Sequence, residues 1–174
     1  MSKVILRYLQ SVDEAEFLMA FNEVWEENFD FVHYWESIAN KDFQTYVEVA
    51  PSFAKGHHIP KEHVPAALLF AFNEEGKIVG RTSIRFELND HLLKVGGHIG
   101  YGVCPNFRNQ GYATQILAES LNFVRNNIKG LKKVLVTCDE GNIGSEKTIR
   151  KNGGELENII EVDGVKKMRF WIDL

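Results

Sequence analysis

Cysteine is almost absent: Cys104 and Cys138 are the only two in 174 residues, and they form no Cys-x-x-Cys pair. Two isolated thiols cannot make a disulfide framework, so a reducing compartment is expected. Long apolar runs are missing as well. Nowhere do roughly 18 apolar residues stand together, which excludes a membrane-spanning helix by sequence. Met1–Gln10 lacks the apolar segment of a secretory signal, so the expected location is the cytoplasm. Basic excess is lacking too: 20 Lys and Arg stand against 24 Asp and Glu, a net charge of −4. Phosphate backbones need clustered cations, so no nucleic-acid partner is expected. The one basic cluster, Lys129 with Lys132 and Lys133, reads as a helix end and its turn. Internal repeats and low-complexity stretches are absent.

What is present fits one compact domain, with 44% hydrophobic and 25% charged residues. Val4–Leu9 reads as a strand. Ser11 with Glu14 matches a capping box opening a helix through Phe17, Leu18, Phe21 and Val24. Phe29, Phe31, Tyr34, Trp35, Phe43, Tyr46 and Phe53 crowd the next stretch, where Trp35-Ile38 and Phe43-Tyr46-Val47 have helical spacing. Lys55–Pro65 reads as a loop. Three strands follow: Ala66–Phe72, Lys77–Glu87 beyond an Asn73–Gly76 turn, and Gly96–Val103. Gln110–Asn127 is an amphipathic helix, Lys132–Cys138 a strand and Ser145–Asn152 a short helix. Leu156–Asp173 turns back on itself at Asp163-Gly164 as a hairpin. The fold class expected is a mixed α/β chain with a central, mostly antiparallel sheet flanked by helices.

The loop from Val103 to Ala113 carries the chemistry. It joins a strand to a helix, so several backbone N–H groups converge beside the positive end of the helix dipole. Gly111 removes the side chain where an anion would approach, Ala113 permits close helix packing, and Arg108 adds a charged fork. A plain strand-to-helix turn would also use a glycine. A P-loop is excluded because Tyr112 follows Gly111, and a dinucleotide fingerprint because only one of its three glycines is present.

Val103-x-Pro105-x-x-Arg108-x-x-Gly111-x-Ala113 resembles the acetyl-CoA signature of the GNAT superfamily of N-acetyltransferases. His98-Ile99-Gly100-Tyr101 resembles that superfamily's fourth-strand segment, where an acid often precedes Ile-Gly-Tyr. Asn142-x-x-Ser145 and Lys151-x-Gly153-Gly154 resemble its next helix and that helix's end. The resemblance covers about Leu68 to the C-terminus. It implies a GNAT-like fold in a single domain, 1–174, with 1–65 as a variable acceptor-side part and 66–174 as the acetyl-CoA-binding core.

The resemblance further implies that the backbone of Arg108, Asn109, Gln110, Gly111, Tyr112 and Ala113 holds a pyrophosphate, with Thr114 adding a hydroxyl. Val103 would present main-chain groups to the pantetheine arm and polarise the thioester carbonyl. Asn142 and Ser145 would touch the pantetheine, although capping alone also explains them. Acetyl-CoA is then the cosubstrate and an amine, of a small molecule or a protein, the acceptor. A homodimer is left open. His98 and Tyr101 are the candidate catalytic residues: His98 as base, with a structural role inside the sheet as its alternative, and Tyr101 as a wall of the site. Glu87, Asp139 and Glu140 are further strand-end carboxylates. Many relatives carry a tyrosine acid seven residues after the Asn; here that position is Ile149. Cys104 and Cys138 read as packing residues. His57, His58 and His63 lack a helical His-Glu-x-x-His arrangement, and no metal is expected. The alternative function is a CoA-binding sensor or interaction domain without turnover.

Overall fold

The computed structural model describes residues 3–24, 32–35, 38 and 42–174. The chain runs through β1 (Ile5–Arg7), α1 (Glu14–Val24), α2 (Phe43–Val49) and a 3-10 stretch at Ala50–Lys55. Then come β2 (Ala66–Phe72), β3 (Ile78–Arg85), β4 (Ile99–Val103), α3 (Tyr112–Asn127), β5 (Lys133–Asp139), α4 (Ile143–Lys151), β6 (Glu155–Val162) and β7 (Val165–Asp173). The element order is the one expected. Phe29 and Phe31 lie outside the described residues, as do residues 36 and 37 of the helix expected around Trp35.

The start of α1 differs in detail. Its capping carboxylate is Asp13, which accepts the Gln10 N–H at 2.7 Å across a 3-10 turn at Ser11–Asp13. Arg7 grips the same carboxylate through two nitrogens, at 2.6 and 2.8 Å, and holds its pKa below the ordinary range. Glu14 instead accepts from Gln44 of α2 at 3.1 Å. A charge-assisted pair with Arg7 thus moves the cap one residue upstream of the Ser11–Glu14 pattern.

All strand pairings are antiparallel, in two sheets: β1-β2-β3-β4 and β5-β7-β6. Side chains of β2 alternate between two cores. Leu68, Phe70 and Phe72 pack with Phe17 of α1, Tyr46 of α2 and Phe53. Ala67 and Leu69 turn the other way, to Leu117, Leu121 and Val124 of α3 and Phe170 and Ile172 of β7. α3 therefore lies across both sheets and ties them together. Its buried positions Ile116, Leu117, Ser120, Leu121 and Val124 form one stripe at three- and four-residue spacing.

The break between the sheets positions the site. β4 and β5 are both edge strands, and among the described residues they are joined only below Ile99. There the His98 N–H donates to the Leu135 carbonyl at 2.7 Å and the Gly96 N–H to Thr137 Oγ1 at 2.8 Å. Gly97 lets the strands approach: it has φ +61°, and an added Cβ would lie 2.3 Å from the Leu135 carbonyl oxygen. Beyond this joint the outer edge of β4 is left unpaired, a row of backbone donors and acceptors open to an extended ligand.

Candidate active site

A cavity of about 630 Å³ lies where the open edge of β4, the start of α3 and the start of α4 converge. Its loop wall comes from Val103, Arg108, Asn109, Gly111, Tyr112, Ala113 and Thr114, its far wall from Asn142 and Ser145. Gln110 does not line it; its side-chain amide turns away to the Asn106 carbonyl at 2.9 Å. Asn109 and Gly111 both take left-handed backbone, at φ 60° and 85°, and Gly111 is the N-cap of α3. Alternation of that kind turns successive N–H groups into a concave anion-binding nest. Among the described residues no acceptor meets the amides of Asn109, Gln110, Gly111, Ala113 or Thr114 in hydrogen-bonding geometry. The Arg108 guanidinium folds back on the end of β4, its Nε donating to the Val103 carbonyl at 3.3 Å.

Opposite the loop, Asn142 caps α4, its Oδ1 accepting the Ser145 N–H at 3.1 Å. Capping and lining the cavity are therefore compatible in this residue. Tyr101 spans the gap between the sheets, its hydroxyl donating to the Ser145 carbonyl at a long 3.5 Å. Burial pushes its pKa up to about 12, so the phenol stays protonated near neutrality. His98 lies elsewhere. It is 5% exposed, and its Nδ1 accepts the Leu135 N–H at 2.9 Å. Burial first, then the nearby Arg85 charge, lowers the imidazole pKa to about 4. The ring takes the place of a backbone acceptor at the joint between the sheets.

Residues 3–155 match the family model of the acetyltransferase (GNAT) domain. The chain belongs to the GNAT acetyltransferase family. Membership makes it an acetyl-CoA-dependent acyltransferase, and solved acetyltransferases share its fold at low identity. Ribosomal-protein-S5-alanine acetyltransferase from Vibrio fischeri is 14% identical with a TM-score of 0.68, covering 99% of this chain and 94% of that one. An acetyltransferase from Salmonella typhimurium, solved with its cofactor acetyl-CoA, gives 14% identity, a TM-score of 0.61, and coverage of 98% and 94%. The microcin C7 self-immunity acetyltransferase, in complex with acetyl-CoA and AMP, gives 19%, 0.66, and coverage of 99% and 93%. No sequence among the curated proteins matches the chain.

Several wall residues escaped the sequence reading. Gly102, Phe107, Gly144, Lys147, Thr148 and Lys151 also line the GNAT cavity. Lys147 and Lys151 matter most, standing four residues apart on α4 as two cations facing the α3 loop. That spacing was a readable signal. Ile149, at the usual tyrosine position, is fully buried in the core behind the site. Asp139 and Glu140 pair with Lys167 and Lys166. Cys104 and Cys138 are buried, and burial pushes the Cys138 thiol up to about 11. Among the described residues no cluster of three metal-ligating side chains occurs, and no helix is long and apolar enough to cross a membrane.

Proposed function

We propose that this chain is an N-acetyltransferase that passes the acetyl group of acetyl-CoA directly to an amine within a ternary complex. The observation that carries the reading is one cavity joining a nest of open amides to an open strand edge. A diphosphate suits the nest at Asn109–Thr114, with Arg108, Lys147 and Lys151 supplying charge. An amide-bearing arm suits the β4 edge, where it would add as a strand beside Val103. The donors present thus fit acetyl-CoA.

Roles follow from placement. Main-chain groups at Val103 orient the arm and polarise the thioester carbonyl. Tyr101 keeps its proton and offers a hydrogen bond to the departing sulfur. His98 acts as a positioning residue that fixes the angle between β4 and β5. Direct transfer is favoured over a covalent relay because both thiols are buried and neither lines the cavity.

The test is a melting curve and a turnover assay on one preparation. Acetyl-CoA at about a hundredfold over Kd should stabilise the fold by roughly 2.7 kcal/mol. Release of free CoA should then depend on added amine. Gly111→Asp, which puts a carboxylate in the nest, should abolish the shift, whereas Cys104→Ala should keep it. A melting temperature unmoved by millimolar acetyl-CoA sinks the transferase reading; binding with no turnover on any amine sinks the transfer step.

A further inference from the structure

α4 brings Lys147 and Lys151 to the acetyl-CoA cavity, so its placement against α3 decides what those charges meet. At its first turn the Tyr101 hydroxyl donates to the Ser145 carbonyl at 3.5 Å. At its other end the hold is Asn152, the unassigned position of Lys151-x-Gly153-Gly154 and the C-cap of the helix. Its Nδ2 donates to the Thr148 carbonyl at 2.9 Å and to the Thr114 carbonyl at 3.2 Å. The first bond is local. The last four carbonyls of a helix lack regular intrahelical donors, and the Asn152 backbone N–H goes to Ile149 instead.

The second bond leaves α4 and crosses 38 residues to the first turn of α3, at the edge of the nest. Thr114 and Thr148 both line the cavity, one on each helix, whereas Asn152 does not. One nitrogen thus ties together the two walls between which a diphosphate would lie. Asparagine suits this link for a chemical reason. Both partners are carbonyl oxygens, so the amide must present its nitrogen, and that nitrogen carries two N–H groups. An aspartate offers no donor there, and a serine only one. The glycines that follow fix its aim. Gly153 takes left-handed backbone at φ +85° and ends the helix, and at Gly154 an added Cβ would collide with Ile149.

We propose that Asn152 is a positioning residue of the acetyl-CoA site: its amide fixes α4 against α3 and so holds Lys147 and Lys151 at the phosphates. The proposal rests on the transferase reading, which supplies the ligand. Two neutral hydrogen bonds contribute only modestly to stability. Their larger effect is on binding, because walls already set at the right spacing need less ordering when the ligand arrives. Both lysines are exposed, and they depend on the helix for their direction.

The test is a thermodynamic cycle read by calorimetry with acetyl-CoA. Asn152→Leu keeps the size of the side chain and removes both donors. It should weaken acetyl-CoA binding by about three- to tenfold. Although no charge is altered, the affinity should also become less sensitive to salt, because Lys147 and Lys151 lose their aim. Replacing both lysines by alanine should then cost less than about twofold in the Asn152→Leu background, against a larger loss in the unaltered protein. A side chain that served stability alone would lower the melting temperature and leave the salt dependence and the cycle untouched. Asn152→Ser, with one donor on a shorter arm, is the second variant and should shift affinity the same way. Unchanged acetyl-CoA affinity in folded Asn152→Leu overturns the proposal, and so do additive losses from the two sites. Failure of both variants to fold overturns it as well, since the amide would then belong to the core rather than to the site. Absence of acetyl-CoA binding by the unaltered protein is a different result, and it removes the transferase reading itself.

Discussion

An imidazole whose Nδ1 already accepts a backbone N–H has committed that lone pair, and its other nitrogen then carries the proton. His98 is in this state, with Leu135 as donor. The sequence allowed two roles for His98, a base or a structural group inside the sheet. The partner was not legible, because it lies 37 residues away on a strand of another sheet. The consequence is a pH dependence of stability with a definite sign. The folded pKa of about 4 lies below the ordinary 6.5. Between those values the unfolded chain binds a proton that the folded chain refuses, so stability falls as pH drops from about 6.5 towards 4 and is fully present above. His98→Gln should therefore flatten the acid limb of a plot of Tm against pH, while kcat/KM of the unaltered protein should show no inflection assignable to this imidazole. Parallel Tm profiles for the two proteins would contradict the assignment.

At the scale of elements, contiguous chemistry was readable and assembled chemistry was not. The Val103–Ala113 loop could be read because its residues are neighbours in sequence, and spacing alone groups them. α4 was readable as a helix, but the face it turns to the loop depends on how α3 and β5 hold it. That face brings Lys147 and Lys151 to the cavity, both exposed and free to be replaced without disturbing the core. Removing both as alanines should weaken acetyl-CoA binding by about three- to tenfold, the scale of two exposed ion pairs. It should also make the affinity less sensitive to salt, since screening acts on those two charges. Calorimetry at low and high ionic strength checks both effects. Unchanged affinity at low salt would place the phosphates away from α4. The Asn152 link was less legible still: Thr114 stands 38 residues away on another helix, and only the fold brings the two together.

At the scale of the whole molecule, ligand access depends on two sheets whose facing edge strands, β4 and β5, are joined at a single place among the described residues. Sequence periodicity showed every strand of both sheets, yet a strand pattern does not say where a ladder stops. The stop here comes from Gly97 and His98, the glycine admitting the Leu135 carbonyl and the imidazole accepting the Leu135 N–H. Gly97→Ala tests this directly. Its Cβ would meet backbone rather than a yielding side chain, so β4 and β5 must separate, and the positive φ adds strain of roughly 1–2 kcal/mol. Gly164→Ala is the matched control, since Gly164 has φ +77° in the remote β6–β7 turn and an added Cβ there meets nothing within 4 Å. Both variants should lose stability from the backbone term. Only Gly97→Ala should also lose acetyl-CoA affinity, by about tenfold or more, because the angle of the slot is set where its Cβ intrudes. Denaturant unfolding and acetyl-CoA titration on the two proteins separate the terms. If the variants match in both measurements, the joint at Leu135 does not shape the slot, and the angle between the sheets must be held by α3 alone.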